Sequence, residues 1–218
     1  MAGAIRFLFD YVSPYSYLAS TQVRALGRRH GRDVDAVPVL LVGMLNATGS
    51  RGPGEVPLKR EYMFRDVARL ARMLGVAIEP PATHPFNPLA ALRVTGCVPD
   101  RDARWRLVDA IYSATWVRAL RVDQPEVLAQ IAGQAGLDGD ALLAEATSPE
   151  SKDRLRASTD EAIAAGAFGV PSLFVDGELF WGVDSLPLLD RFLGGESAID
   201  AERLERWRRV TPSATRPR

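Results

Sequence analysis

Phe9-Asp10-Tyr11-Val12-Ser13-Pro14-Tyr15-Ser16-Tyr17-Leu18-Ala19 joins a strand to a helix. Upstream of it, Ile5 to Phe9 is a short apolar run of strand type. Ser13 can cap a helix, and Pro14 suits the first helical position. Tyr15, Leu18, Ala19, Val23 and Leu26 then recur at helical spacing. Ser13 is therefore expected beside unpaired backbone N–H groups and the positive end of a helix dipole, a place suited to an anion. A plain helix cap explains the same residues.

Outward from this junction, Val34 to Leu41 reads as a second strand, with Pro38 confining it to an edge or ending it. Strand, helix, strand makes a βαβ unit. Gly43 to Pro57 is rich in glycine and proline and reads as a mobile loop. A helical stretch follows, its stripe Met63, Val67, Leu70, Ala71 and Leu74 stopping at Gly75. The prolines between Glu79 and Pro88 forbid a helix there, and Asn87-Pro88 opens the next one. Further helices are predicted through Trp105 to Thr115, Pro125 to Gly136, Asp138 to Ala146 and Ser148 to Gly166. Strands return at Ser172–Val175 and Glu178–Trp181, joined by the hairpin pair Asp176-Gly177. A helix over Leu186–Leu193 and an arginine-rich one over 197–209 close the chain.

The order is β-α-β, a block of helices, then β-β-α. Without the block this is the thioredoxin-like α/β layout, a sheet with helices on both faces. The expected division is 1–57 and 167–210 for that domain, 58–166 for an inserted all-helical domain, and 211–218 for a disordered tail.

Composition narrows the function. Lys+Arg 27 balances Asp+Glu 27, so there is no general pull towards nucleic acid or anionic membranes. No apolar run approaches the roughly 20 residues that span a bilayer. The start runs straight into a strand, so no signal peptide is expected. One cysteine, Cys97, excludes an internal disulfide and fits a reducing, cytoplasmic compartment. With two distant histidines, His30 and His84, no metal site is expected.

In a thioredoxin-like layout the reactive Cys-x-x-Cys sits where this chain has Ser13-Pro14-Tyr15-Ser16. Disulfide exchange needs the dithiol and is excluded. The electrostatic site survives, with a hydroxyl able to donate to a thiolate brought by a ligand. Val170-Pro171, immediately before a strand, stands where such folds place a cis proline, and would turn Val170 backbone groups towards an extended peptide. An ordinary strand-initiating proline reads the same way.

Three separated motifs now carry a resemblance. They are the segment from Phe9 to Ala19, His84-Pro85-Phe86-Asn87-Pro88 with Arg93, and Gly166 through Val170-Pro171 to Trp181-Gly182. Together the chain resembles the 2-hydroxychromene-2-carboxylate isomerase family, grouped with kappa-class glutathione transferases. The resemblance implies a glutathione-binding homodimer in which Ser13 holds the glutathione sulfur, Val170 pairs with the cysteinyl backbone, and Val183 and Asp184 hold the γ-glutamyl end. Ser50 stands where kappa-class relatives often have asparagine. The acceptor, an aromatic small molecule, would meet Lys59, Tyr62, His84, Asn87, Arg93, Trp116 and Trp181. Each has a plain alternative: a solvated lysine, a core-edge tyrosine, a packing histidine, a helix cap, an ion-pair partner and two core tryptophans. The resemblance implies isomerisation by reversible thiolate addition. A kappa-like transferase or peroxidase, and a non-catalytic thioredoxin-fold binding module, are the competing readings.

Overall fold

The computed structural model describes residues 3–196 and 200–214. Expectations for Met1 and Ala2, for 197–199 of the last helix and for 215–218 of the tail lie outside the described residues. Four strands, β1 (Ile5–Phe9), β2 (Val34–Pro38), β3 (Ser172–Val175) and β4 (Glu178–Trp181), form one sheet in the order β2-β1-β3-β4. β1 and β2 are parallel, with Phe9 opposite Pro38. β3 is antiparallel to β1, with Leu8 opposite Ser172, and β4 pairs back on β3. Pro38 thus ends an edge strand, where its missing N–H leaves no gap in a central ladder. Asp176 and Gly177 both take positive φ, 48° and 85°, as a two-residue hairpin turn requires.

α1 (Pro14–Arg29) crosses from β1 to β2, and α9 (Leu186–Leu193) and α10 (Ala201–Arg208) follow β4. Between β2 and β3 come α2 (Leu41–Thr48), α3 (Pro57–Leu74), α4 (Leu89–Cys97), α5 (Arg101–Trp116), α6 (Pro125–Gln134), α7 (Gly139–Ala146) and α8 (Pro149–Ala164). The layout is thioredoxin-like α/β, with helices inserted between the βαβ and ββα parts. Ser13, Asp100, Asp138 and Ser148 cap their helices by accepting an N–H three residues on.

One expectation fails. Gly43 to Pro57 is not a loop throughout: residues 41–48 are α2, and Pro53–Glu55 is a single 3₁₀ turn. Glycines dominated the reading of this stretch, yet Met44 is fully buried with Leu8, Val39 and Ala162, and that packing holds the helix. Gly49, at φ 64°, closes it in the left-handed conformation.

One continuous core joins the sheet to the helical segment. Phe7 of β1 stacks on Trp105 of α5, with centroids 5.8 Å apart, and Tyr11 meets Tyr112 edge-on at 4.9 Å. A packing test of α2 follows. Met44→Ala should lower unfolding free energy by about 2–4 kcal/mol in urea titration; a neutral result would mean residues 41–48 are not packed as described.

Candidate active site

The register brings four segments to one end of the sheet. Phe9 lies beside Pro38, Leu8 beside Ser172, and Ser172 beside Trp181. The chain therefore leaves β1 towards Ser13, leaves β2 towards α2, enters β3 from Val170-Pro171, and leaves β4 towards Val183 and Asp184. The Val170–Pro171 bond is cis, as is His84–Pro85.

Ser13 is buried at the start of α1, and its Oγ accepts the Ser16 N–H at 3.1 Å. That bond uses an oxygen lone pair, so the hydroxyl hydrogen is still available to a further acceptor. Among the described residues, no partner pairs with the backbone N–H or C=O of Val170.

The turn leading to Ser13 is fixed by side chains from the helical segment. Tyr112 O–H reaches the Asp10 carbonyl at 3.4 Å, Trp116 Nε1–H donates to the Tyr11 carbonyl at 3.0 Å, and His84 Nε2 lies 3.0 Å from the Val12 carbonyl. A carbonyl only accepts, so His84 carries its hydrogen on Nε2 and keeps Nδ1 as an acceptor. Nδ1 is buried and has no partner among the described residues. Burial, reinforced by Arg60 and opposed by the bond to Val12, lowers the His84 pKa, which keeps the ring neutral. Gly54 packs against this ring: a Cβ there would come within 3.1 Å of His84 Cε1.

Asp10 completes the turn from inside. One carboxylate oxygen accepts Val12 N–H at 3.1 Å and the other accepts Leu41 N–H at 2.9 Å. Burial nevertheless pushes its pKa from 3.8 up to about 6, against the lowering by those two bonds.

A cavity of about 320 Å³ opens beside α1, lined by Tyr15, Pro53, Leu58, Lys59, Tyr62 and Met63. Ser13 is not among its lining residues. Tyr15 O–H donates to Asp66 at 2.9 Å, and its pKa is raised by burial first, then by Asp66, with Tyr62 and Asp184 adding through space. Tyr15 therefore links the junction to α3. In the turn after β4 Gly182, at φ 89°, lies under the Asp184 carboxylate: a Cβ would fall 2.3 Å from Oδ1.

The structure thus gathers Ser13, Val170, Pro171, Val183 and Asp184 at the sheet end, with Lys59 and Tyr62 on the cavity beside it. Other candidates stand elsewhere. Trp116 is buried and, with His84, supports the turn from behind. Ser50 is exposed, and its N–H closes α2 through Leu45 O. Asn87 is exposed and accepts Leu89 N–H at 3.0 Å, turning the chain into α4, whose N-cap is Pro88 rather than Asn87 as the sequence suggests. Trp181 is exposed and packs on Phe168 at 4.9 Å. Arg93 lines a different cavity, between β2, α4, α5 and α8. Sequence reasoning did not single out Asp10 or Tyr15, although a carboxylate ending a buried strand was a readable signal for the first.

Comparison with known proteins agrees with this fold. Residues 4–194 match the family model of the DSBA-like thioredoxin domain. A 2-hydroxychromene-2-carboxylate isomerase of Sphingobium xenophagum is 33% identical over 88% of this chain and 99% of its own. Human glutathione S-transferase kappa 1 is 25% identical over 98% of this chain and 96% of its own. A solved 2-hydroxychromene-2-carboxylate isomerase superposes with a TM-score of 0.82 at 25% identity, covering 94% of this chain and 97% of that one.

The Asp10 environment predicts a pH dependence. Its folded pKa lies above the unfolded one, so the folded chain holds the proton more tightly. This group's contribution to stability is greatest below about pH 4 and declines as pH rises through about 6. Asp10→Asn should remove that decline. Between pH 4 and 6.5 the wild type should lose about 2 kcal/mol more than the variant in urea unfolding; parallel profiles would refute the assignment.

Proposed function

The chain belongs to the DSBA-like thioredoxin family, among the relatives of 2-hydroxychromene-2-carboxylate isomerase, and from that premise we propose that it is a glutathione-dependent isomerase of 2-hydroxychromene-2-carboxylate-type aromatic catabolites. The observation that carries this reading is Ser13: a capping hydroxyl with its hydrogen uncommitted, at the site where a dithiol is absent. The residues present suit glutathione. The unpaired Val170 backbone suits a peptide, the Asp184 carboxylate suits an ammonium, and N–H groups entering α9 suit a carboxylate.

When bound, glutathione supplies a thiolate that adds reversibly to a conjugated substrate. Ser13 donates its hydroxyl hydrogen to the sulfur and, with the dipole of α1, favours the charged form. Val170 pairs through its backbone and fixes the tripeptide's register. Lys59 offers a cation to a substrate carboxylate, and Tyr62 and Trp181 offer aromatic surfaces. His84 keeps Ser13 in place through the Val12 carbonyl, and Nδ1 is positioned as a hydrogen-bond acceptor should the Gly54 loop move aside. Trp116 has the same supporting role, and Ser50 and Asn87 act through their bonds to the backbone. In this reading 1–57 with 167–210 is the glutathione-binding unit and 58–166 supplies the acceptor side.

The reading extends to a cytoplasmic homodimer acting on a small molecule. The lone cysteine supports the compartment, and the exposed apolar residues Leu58 and Met73 of α3 support a covering second copy. No helix among the described residues is long and apolar enough to cross a membrane. The kappa-class relatives support a second reading, transfer of glutathione to another electrophile at the same site.

Two measurements test this. Ser13→Ala should raise the pKa of the bound glutathione thiol by about one to two pH units, read from its ultraviolet thiolate absorbance, and slow turnover. Wild-type absorbance and turnover in that variant would sink the assignment. Incubation with 2-hydroxychromene-2-carboxylate should give isomerisation without net loss of glutathione. Conjugation of chlorodinitrobenzene with no isomerisation would favour the transferase instead.

A further inference from the structure

The second cavity, about 170 Å³, lies between the end of β2 and helices α4, α5 and α8. Arg93, Arg104 and Arg154 line it, together with Ser151, Ser158 and Pro38. Three arginines border this one small space, and each guanidinium needs hydrogen-bond partners or an opposite charge. What they have is mostly backbone. Arg104 donates through Nε to Val98 O at 2.8 Å and through Nη1 to Ala36 O at 3.2 Å. Arg154 donates through Nη1 to Gly96 O at 3.0 Å. Arg93 Nε is buried and has no partner among the described residues.

Carboxylates are scarce here. Among the described residues, the one ion pair that any of the three makes is Arg154 with Glu145, at 3.5 Å. Asp35 acts on Arg104 through space, but its hydrogen bond goes to Arg101. Three cations facing one close carboxylate leave two positive charges uncompensated, the charge of a phosphate group near neutral pH. The cavity is smaller than the roughly 300 Å³ at which sites for drug-sized ligands begin. It therefore suits an ion-sized group, and guanidinium forks match phosphate oxygens.

We infer that this cavity is a second ligand site, separate from Ser13, that takes the phosphate group of a small molecule or free phosphate between Arg93, Arg104 and Arg154. Ser151 supplies a hydroxyl at its α8 wall, while the Ser158 hydroxyl there already donates to Pro38 O at 2.8 Å. Gly96 keeps it open: a Cβ there would stand 3.9 Å from both Arg154 Cδ and Pro38 Cγ, in ordinary contact and over the opening between them.

Calorimetric titration of the full chain with inorganic phosphate, at ionic strength held constant with sodium chloride, tests this. A saturable isotherm with one phosphate per chain is expected, weakened tenfold or more in both Arg93→Gln and Arg154→Gln. Phosphate also stabilises proteins by exclusion from their surface, so binding heat rather than melting temperature is read. Circular dichroism identifies any variant that fails to fold, and Gly96→Ala, which leaves every charge in place, should still reduce affinity by narrowing the site. No saturable heat with wild type, or equal affinity in the arginine variants, would overturn the inference, as would acetate binding as tightly as phosphate. Glycerol 3-phosphate binding tighter than inorganic phosphate would identify a phosphomonoester as the ligand; weaker binding would identify free phosphate.

Discussion

The site depends on how the turn from Asp10 to Ser13 is held. Its backbone carbonyls at 10, 11 and 12 each receive a side chain from the helical segment: Tyr112, Trp116 and His84 in turn. From the other side, Asp10 clamps the N–H groups of Val12 and Leu41. A buried carbonyl or N–H without a partner is costly, so each of these bonds also penalises alternative paths for the turn. The outcome is a buried serine held at the N-terminus of α1, its oxygen accepting the Ser16 N–H.

This arrangement explains the different fates of the residues at the site. Trp116 and His84 have side chains of a kind that could meet an aromatic substrate, yet the geometry commits both to the backbone of the turn. Lys59 and Tyr62, one turn apart on α3, line an open cavity together with Tyr15. The reactive end and the variable wall are therefore built from different parts of the chain. A short strand-helix junction fixes the first, and a single exposed helix carries the second.

Much of this could be read from local pattern. Ser13-Pro14, Ser148-Pro149 and Asp176-Gly177 each specify a backbone conformation through chemistry within two or three residues, and each does so in the structure. The edge position of β2 followed from Pro38. What could not be read was of two kinds. In α2, Gly43 and Gly49 mask a helix whose stability comes from Met44 packing under α8, a tertiary contact with no local signature. At the site, the three bonds from the helical segment to the turn join residues 72 to 105 apart, and periodicity reports nothing over such separations. Tyr15 was hidden for a related reason: it counts as one apolar position of α1, while its hydroxyl belongs to Asp66 of α3. Arg93 shows the converse. Its motif neighbours suggested the acceptor pocket, but the phase of α4 turns it towards β2 and α8.

The continuous core, running from Phe7 and Phe9 through Tyr112 into the helices, sets a limit on how such a chain can diversify. The helical segment cannot be exchanged as a cassette, because its excision would strip the sheet of its largest aromatic neighbours and the turn of its three donors. If the acceptor lies on the α3 side, new ones are accommodated by point changes along the outer face of α3, at positions such as Lys59 and Tyr62, which border solvent and carry no share of the interior.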